Sequence, residues 1–125
     1  ELLEELVRMN SWWDTVDYIA ASLLGYYFTR WPERIPEKVP SWVPSKNMWL
    51  NRTAILFQLK YRQKTDLDLL FSAIEPHRSS KEFFHQKAIG WALRQYSYTD
   101  KKAVKKYVDR TPLMPLSIRE ALKHH

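Results

Sequence analysis

The sequence predicts an all-α fold, a superhelix (solenoid) of antiparallel helix pairs with no β-sheet. Three observations carry that expectation. Helix-start signals recur along the chain, apolar residues follow them at helical spacing, and three of the resulting segments align with one another at a constant offset. Two glycines in 125 residues are too few for a Gly-rich phosphate loop or a turn-dense β-sandwich.

The start signals are Ser11-Trp-Trp-Asp14, Thr65-Asp-Leu-Asp68, Ser79-Ser-Lys-Glu82 and Ser117-Ile-Arg-Glu120. Each fits a capping box or its Asp variant, in which a short oxygen-bearing side chain accepts from an orphan N–H of the first turn. Val16, Ile19, Ala20, Leu23 and Leu24 then recur at helical spacing, as do Leu50, Ala54, Ile55 and Leu59. The pattern predicts helices at 1–9, 12–29, 46–62, 66–75, 80–97, 100–109 and 117–124. Trp31 to Pro44 holds Pro32, Pro36, Pro40 and Pro44, so it reads as a packed loop with one helical turn near Glu33–Pro36, not as a regular helix.

The alignment sets Asp17–Tyr26, Arg52–Tyr61 and Lys87–Tyr96 under one another at an offset of 35 residues. Each segment begins with a charged residue and ends with tyrosine, and Ala20, Ile55 and Gly90 share a column. A period of this length with two helices per unit marks an α-solenoid. In a solenoid the equivalent helices lie side by side, roughly 8–10 Å apart. Asp17, Arg52 and Lys87 are therefore expected in a row on one face. Trp13 lies one turn before Asp17, and Trp91 one turn after Lys87.

Composition narrows what such a face could meet. The net charge is +6, which suits a polyanion such as nucleic acid or a membrane face. Cysteine is absent, so disulfide and thiolate chemistry are excluded, in keeping with a reducing cytoplasm. No apolar run approaches the ~18 residues of a membrane span, and Glu1–Arg8 does not resemble a signal peptide. That opening segment reads instead as the tail of a helix already in progress.

A carboxylate, two cations and two indoles suit a cationic group attached to a polyanion. Indole faces attract cations. A carboxylate stabilises positive charge developing on a sugar as a glycosidic bond breaks. Arg52, Lys60, Arg62, Lys64, Lys87 and Arg94 are candidates to hold phosphates. Each member also has a plainer reading: the tryptophans as core, Arg52 as a structural partner of Asp17, Lys87 as a solvated charge. Lys101, Lys102, Lys105 and Lys106 form a helix face that reads equally as a solvated stripe or a phosphate grip.

Ser11-Trp-Trp-Asp-Thr-Val-Asp17, Trp49-Leu-Asn-Arg-Thr-Ala-Ile-Leu56, Phe83-Phe-His-Gln-Lys-Ala-Ile-Gly-Trp-Ala-Leu-Arg94 and Leu116-Ser-Ile-Arg-Glu-Ala-Leu122 resemble the DNA alkylation repair enzymes, the AlkD-like HEAT-repeat glycosylases. The resemblance runs along nearly the whole chain. It implies a HEAT-like repeat domain over 1–125, the C-terminal portion of a longer family member. It also implies hydrolysis of the N-glycosidic bond of cationic alkylated purines, 3-methyladenine and 7-methylguanine, in duplex DNA. Asp17 matches the catalytic carboxylate, Trp13 and Trp91 its aromatic partners, and Arg52 the arginine that holds the backbone near the lesion. Lys60, Lys87 and Arg94 join Arg52 as expected backbone-binding residues. The base is not flipped into a pocket, and the indoles touch the lesion's deoxyribose.

No metal, small-molecule cofactor or membrane is implied; His77 and His85 lie on different segments without carboxylates at ligand spacing. The face of helix 1–9, which further repeats would cap, is an expected self-association surface. Relatives of the same fold bind DNA structures without excising a base, so a noncatalytic scaffold for DNA or protein is the alternative.

Overall fold

The computed structural model describes residues 22–123. Among them every regular element is a helix or a 3-10 turn, as the all-α superhelix requires. The helices are α1 (22–30), α2 (Ile35–Trp42), α3 (Met48–Leu56), α4 (Leu67–Ile74), α5 (Phe83–Ser97), α6 (Lys101–Arg110) and α7 (Pro115–Ala121). Helices α3, α5 and α7 pack in succession. Helix α1 meets the end of α3 through Phe28, whose ring centroid lies 5.1 Å from that of Phe57, the residue after α3. The intervening helices cover this row: α2 and α4 pack on α3, and α6 on α5. Phe71 of α4 stacks on Tyr107 of α6, centroids 3.8 Å apart. The helices expected at 1–9 and over the first half of 12–29 lie outside the described residues, as does the Ser11–Asp14 cap.

The core follows the apolar spacing. Phe28, Ile55, Leu56, Phe57, Ile74, Ile89, Leu93 and Val104 are buried, each worth on the order of 1.5–3 kcal/mol when removed from water. Helix α5 is the central element, with Ala88, Ile89, Gly90, Ala92 and Leu93 all buried. Both glycines mark close approaches between helices. A Cβ on Gly25 would meet the Phe57 carbonyl oxygen at 2.6 Å. The same region is tied by Tyr61, whose hydroxyl donates to the Gly25 carbonyl at 2.7 Å; burial pushes that hydroxyl's pKa up to about 12.

The proline-rich stretch departs from the sequence expectation. A 3-10 turn, Pro32–Arg34, runs directly into the two-turn helix α2. Pro32 and Pro36 stand in the first turns of their elements, where the missing N–H has no intrahelical acceptor to lose. Only Pro40 is interior, so a single hydrogen bond to the Pro36 carbonyl is forfeited. Val39 compensates by burying its side chain completely. The carbonyls at the far end are satisfied from outside: Asn51 Nδ2 donates to Trp42, Val43 and Ser45 at 2.9–3.0 Å.

Other boundaries shift for local reasons. Helix α3 stops at Leu56, short of the expected end at Arg62, and a turn leads to a second 3-10 segment, Arg62–Lys64. Gln58 brackets that loop, accepting from the Asp66 N–H at 2.7 Å and donating to the Asp66 carbonyl at 3.2 Å. Asp66, not Thr65, caps α4, accepting from Leu69 N–H at 3.1 Å. Ser117 does not cap: α7 already begins at Pro115, and Ser117 Oγ donates across to the Gln86 carbonyl at 3.0 Å.

The α5–α7 contact is closest at Gly90, where an added Cβ would lie 2.5 Å from Glu120 Cβ and 3.2 Å from the Ser117 carbonyl oxygen. Helix propensity alone favours alanine there by about 1 kcal/mol. The overlap outweighs it, and Gly90→Ala is expected to destabilise the fold by about 1–3 kcal/mol in urea unfolding. A neutral or stabilising result would mean that α7 can move off α5 freely.

Candidate nucleic-acid interface

Three arrangements of polar side chains surround α3 and α5. The first is an open cleft of about 480 Å³ lined by Leu59, Lys60, Arg62, Trp91 and Gln95. Trp91 is half-buried and Lys60 is exposed, so an indole and an ammonium flank one opening. Arg62 joins them from a left-handed backbone conformation, φ 52°, the single non-glycine case among the described residues. That geometry costs an L-residue about 1–2 kcal/mol, and such strain concentrates at functional positions.

The second arrangement is an ion-pair cluster. Glu120 is buried to 6% exposure, and Lys87 Nζ donates to its Oε1 at 2.8 Å. Arg94 lies 3.9 Å from the same oxygen, and Lys123 Nζ 3.6 Å from Oε2. The Lys87 hydrogen bond outweighs burial and holds the Glu120 pKa below the ordinary carboxylate value.

The third surrounds Arg52, which is 1% exposed with its guanidinium carbon 5.0 Å from the Phe84 ring centroid. Next to it His77 and His85 face one another, ring centroids 4.4 Å apart. His77 Nε2 donates to the Val43 carbonyl at 2.7 Å. Asn51 spends its amide N–H groups on the α2 carbonyls, so its Oδ1 accepts from His85 Nε2 at 3.0 Å. His85 Nδ1 then accepts from Ser80 Oγ at 2.8 Å. Both ring nitrogens are thus used by the neutral tautomer. Burial, then His77, lowers the His85 pKa, and Arg52 adds to the effect.

Of the residues singled out in the sequence, the structure places Lys60, Arg62 and Trp91 on one cleft, together with Gln95. The repeat held that signal, because Lys60 and Gln95 fall in one column of the alignment. Arg52 and Lys87 do not present an open row of cations: Arg52 is buried against Phe84, while Lys87 and Arg94 converge on Glu120. Glu120 was legible only as the capping-box partner of Ser117. Trp13 and Asp17 lie outside the described residues. No group of three metal-ligating side chains occurs among the described residues, and no described helix is long and apolar enough to cross a membrane.

The model of the DNA alkylation repair enzyme family matches residues 1–125, the whole chain. The chain belongs to that family. Among solved structures, the family member is similar to a protein from Enterococcus faecalis described as a predicted DNA alkylation repair enzyme, with a TM-score of 0.81 and 37% identity. The match covers 98% of this chain and 60% of that one, so the chain spans about three-fifths of its relative's length. None of the curated proteins matches it.

The histidine network makes stability depend on pH with a definite sign. The folded His85 pKa lies below the unfolded value of about 6.5. Between the two, the unfolded chain binds more protons. The network's contribution is thus complete above pH ~6.5 and is lost as the pH falls through the folded value. Melting temperature is expected to fall from pH 7.5 to pH 5, and His85→Gln is expected to flatten that slope. An unchanged slope in the variant would place the titration elsewhere.

Proposed function

We propose that this protein acts in DNA alkylation repair as a monofunctional glycosylase. It hydrolyses the N-glycosidic bond of cationic purines, 3-methyladenine and 7-methylguanine, in duplex DNA. The observation that carries the reading is the cleft where Trp91 stands beside Lys60 and Arg62, in a chain of this family. An indole face suits a cationic lesion or its sugar, and two adjacent cations suit the phosphates that flank it. The cleft is open, in keeping with a lesion held at the surface of the duplex and not in a deep base pocket.

In this reading Asp17 is the catalytic carboxylate and Trp13 its aromatic partner. As the bond to the base lengthens, positive charge builds on the deoxyribose, and the Asp17 carboxylate stabilises it and orients the attacking water. The methylated base already bears a positive charge and departs as a neutral molecule, so the reaction needs no metal and only moderate electrostatic assistance. Burial gives Arg52 the role of a fixed cation that orients the site, in place of an exposed backbone clamp. Lys60 and Arg62 grip the backbone directly. Lys87 and Arg94 extend that strip, but Glu120 already neutralises part of their charge, so each contributes less to binding.

Release of 7-methylguanine from methylated duplex, together with DNA affinity across a salt series, tests this in the chain and in a version extended to the full length of its relative. Asp17→Asn is expected to abolish release and leave affinity within about threefold. Lys60→Ala and Arg62→Ala are each expected to reduce the salt slope by about one. Lys87→Ala is expected to change it less. Release that survives Asp17→Asn would refute the catalytic assignment, and binding without release in both lengths would favour a noncatalytic scaffold.

A further inference from the structure

A second basic surface lies on α6 and shares no residue with the Trp91 cleft. Helix α6 buries Val104, Tyr107 and Val108. Helical periodicity then turns Lys101, Lys102, Lys105 and Lys106 outward together. With Arg110 and Leu122 they wall an open cleft of about 720 Å³. The one carboxylate in its wall, Asp109, is taken by Lys105 at 2.9 Å. Arg110 rests over the Tyr107 ring, 5.6 Å from its centroid. Among the described residues Lys101, Lys102 and Lys106 make no ion pair.

The walls of this cleft are not uniformly polar. Lysine stems are apolar along most of their length and carry their charge at the tip, and Leu122 adds an aliphatic floor. Cations at the rim over an apolar interior match a ligand that combines anionic groups with a protruding apolar one. A phosphodiester backbone supplies the first but has no apolar side chain to fill the interior. Lysine ammonium groups on flexible stems also adapt to carboxylates at irregular spacing, where planar guanidinium would demand fixed geometry.

We propose that the α6 cleft docks an acidic peptide segment of a partner protein, with carboxylates on the lysine rim and one large apolar side chain seated on Leu122. The inference stands apart from the glycosylase reading, since it uses none of the same residues. A repair protein with this surface can be held by a partner while its other basic face engages DNA.

Fluorescence anisotropy of the full chain with a labelled octapeptide, Gly-Ser-Asp-Glu-Asp-Asp-Leu-Phe, tests the proposal, with a labelled DNA duplex as the second probe. The peptide is expected to bind, and its Leu-Phe to Ala-Ala counterpart to bind about tenfold more weakly. The doubly reversed Lys102→Glu, Lys106→Glu protein is expected to lose about tenfold or more in peptide affinity. Its duplex affinity is expected to stay within about threefold, and its circular dichroism to match the parent, since both side chains are exposed. Absence of peptide binding, equal binding of the two peptides, or an equal loss for peptide and duplex would each overturn the proposal. The last outcome would make the surface a phosphate grip.

Discussion

The close approach of α5 to α7 at Gly90 is the constraint on which the remaining geometry depends. With no side chain at that position, the α7 backbone and the Glu120 stem come within reach of α5. Lys87 and Arg94, one turn to either side of Gly90, then meet the Glu120 carboxylate. The same rotation of α5 buries Ala88, Ile89, Ala92 and Leu93 and leaves Trp91 and Gln95 at the edge of the cleft. A bulkier residue would push apart the helix that presents the indole and the helix that restrains its neighbouring cations.

A second constraint acts at the other end of α5. His85 and Asn51 link α5 to α3, and Asn51 carries the link on to the carbonyls that end α2. Neutral hydrogen bonds of this kind are individually worth about 1 kcal/mol. Their larger effect is geometric, because each buried polar group has one partner arrangement that satisfies it. Arg52 sits beside this network against Phe84, so its guanidinium is positioned by packing and not by solvent.

Much of this was legible in the sequence. The three tyrosine-ended segments anticipated the succession in which α1, α3 and α5 pack, and Lys60 and Gln95, which share a column of that alignment, line one cleft. Three features were hidden for physical reasons. The prolines at 32 and 36 fall at helix starts, which proline favours, so counting them argued wrongly against a helix. Glu120 and Ser117 matched a cap by spacing, yet their partners lie about thirty residues away on α5, a relation that only the superhelical stacking creates. His77 and His85 are similarly joined by a turn, Ser80 to Glu82, that carries no periodic signal.

The proposed activity turns on one bond, that between the alkylated base and its sugar. The most direct measurement of it is a product analysis of methylated duplex DNA after a single turnover, with the fates of base and strand followed together. Free 7-methylguanine in equal amount to alkali-labile abasic sites, in strands that remain intact, is the result this account predicts. Removal of the methyl group from a base that stays in the strand, or cleavage of the strand without free base, would contradict it.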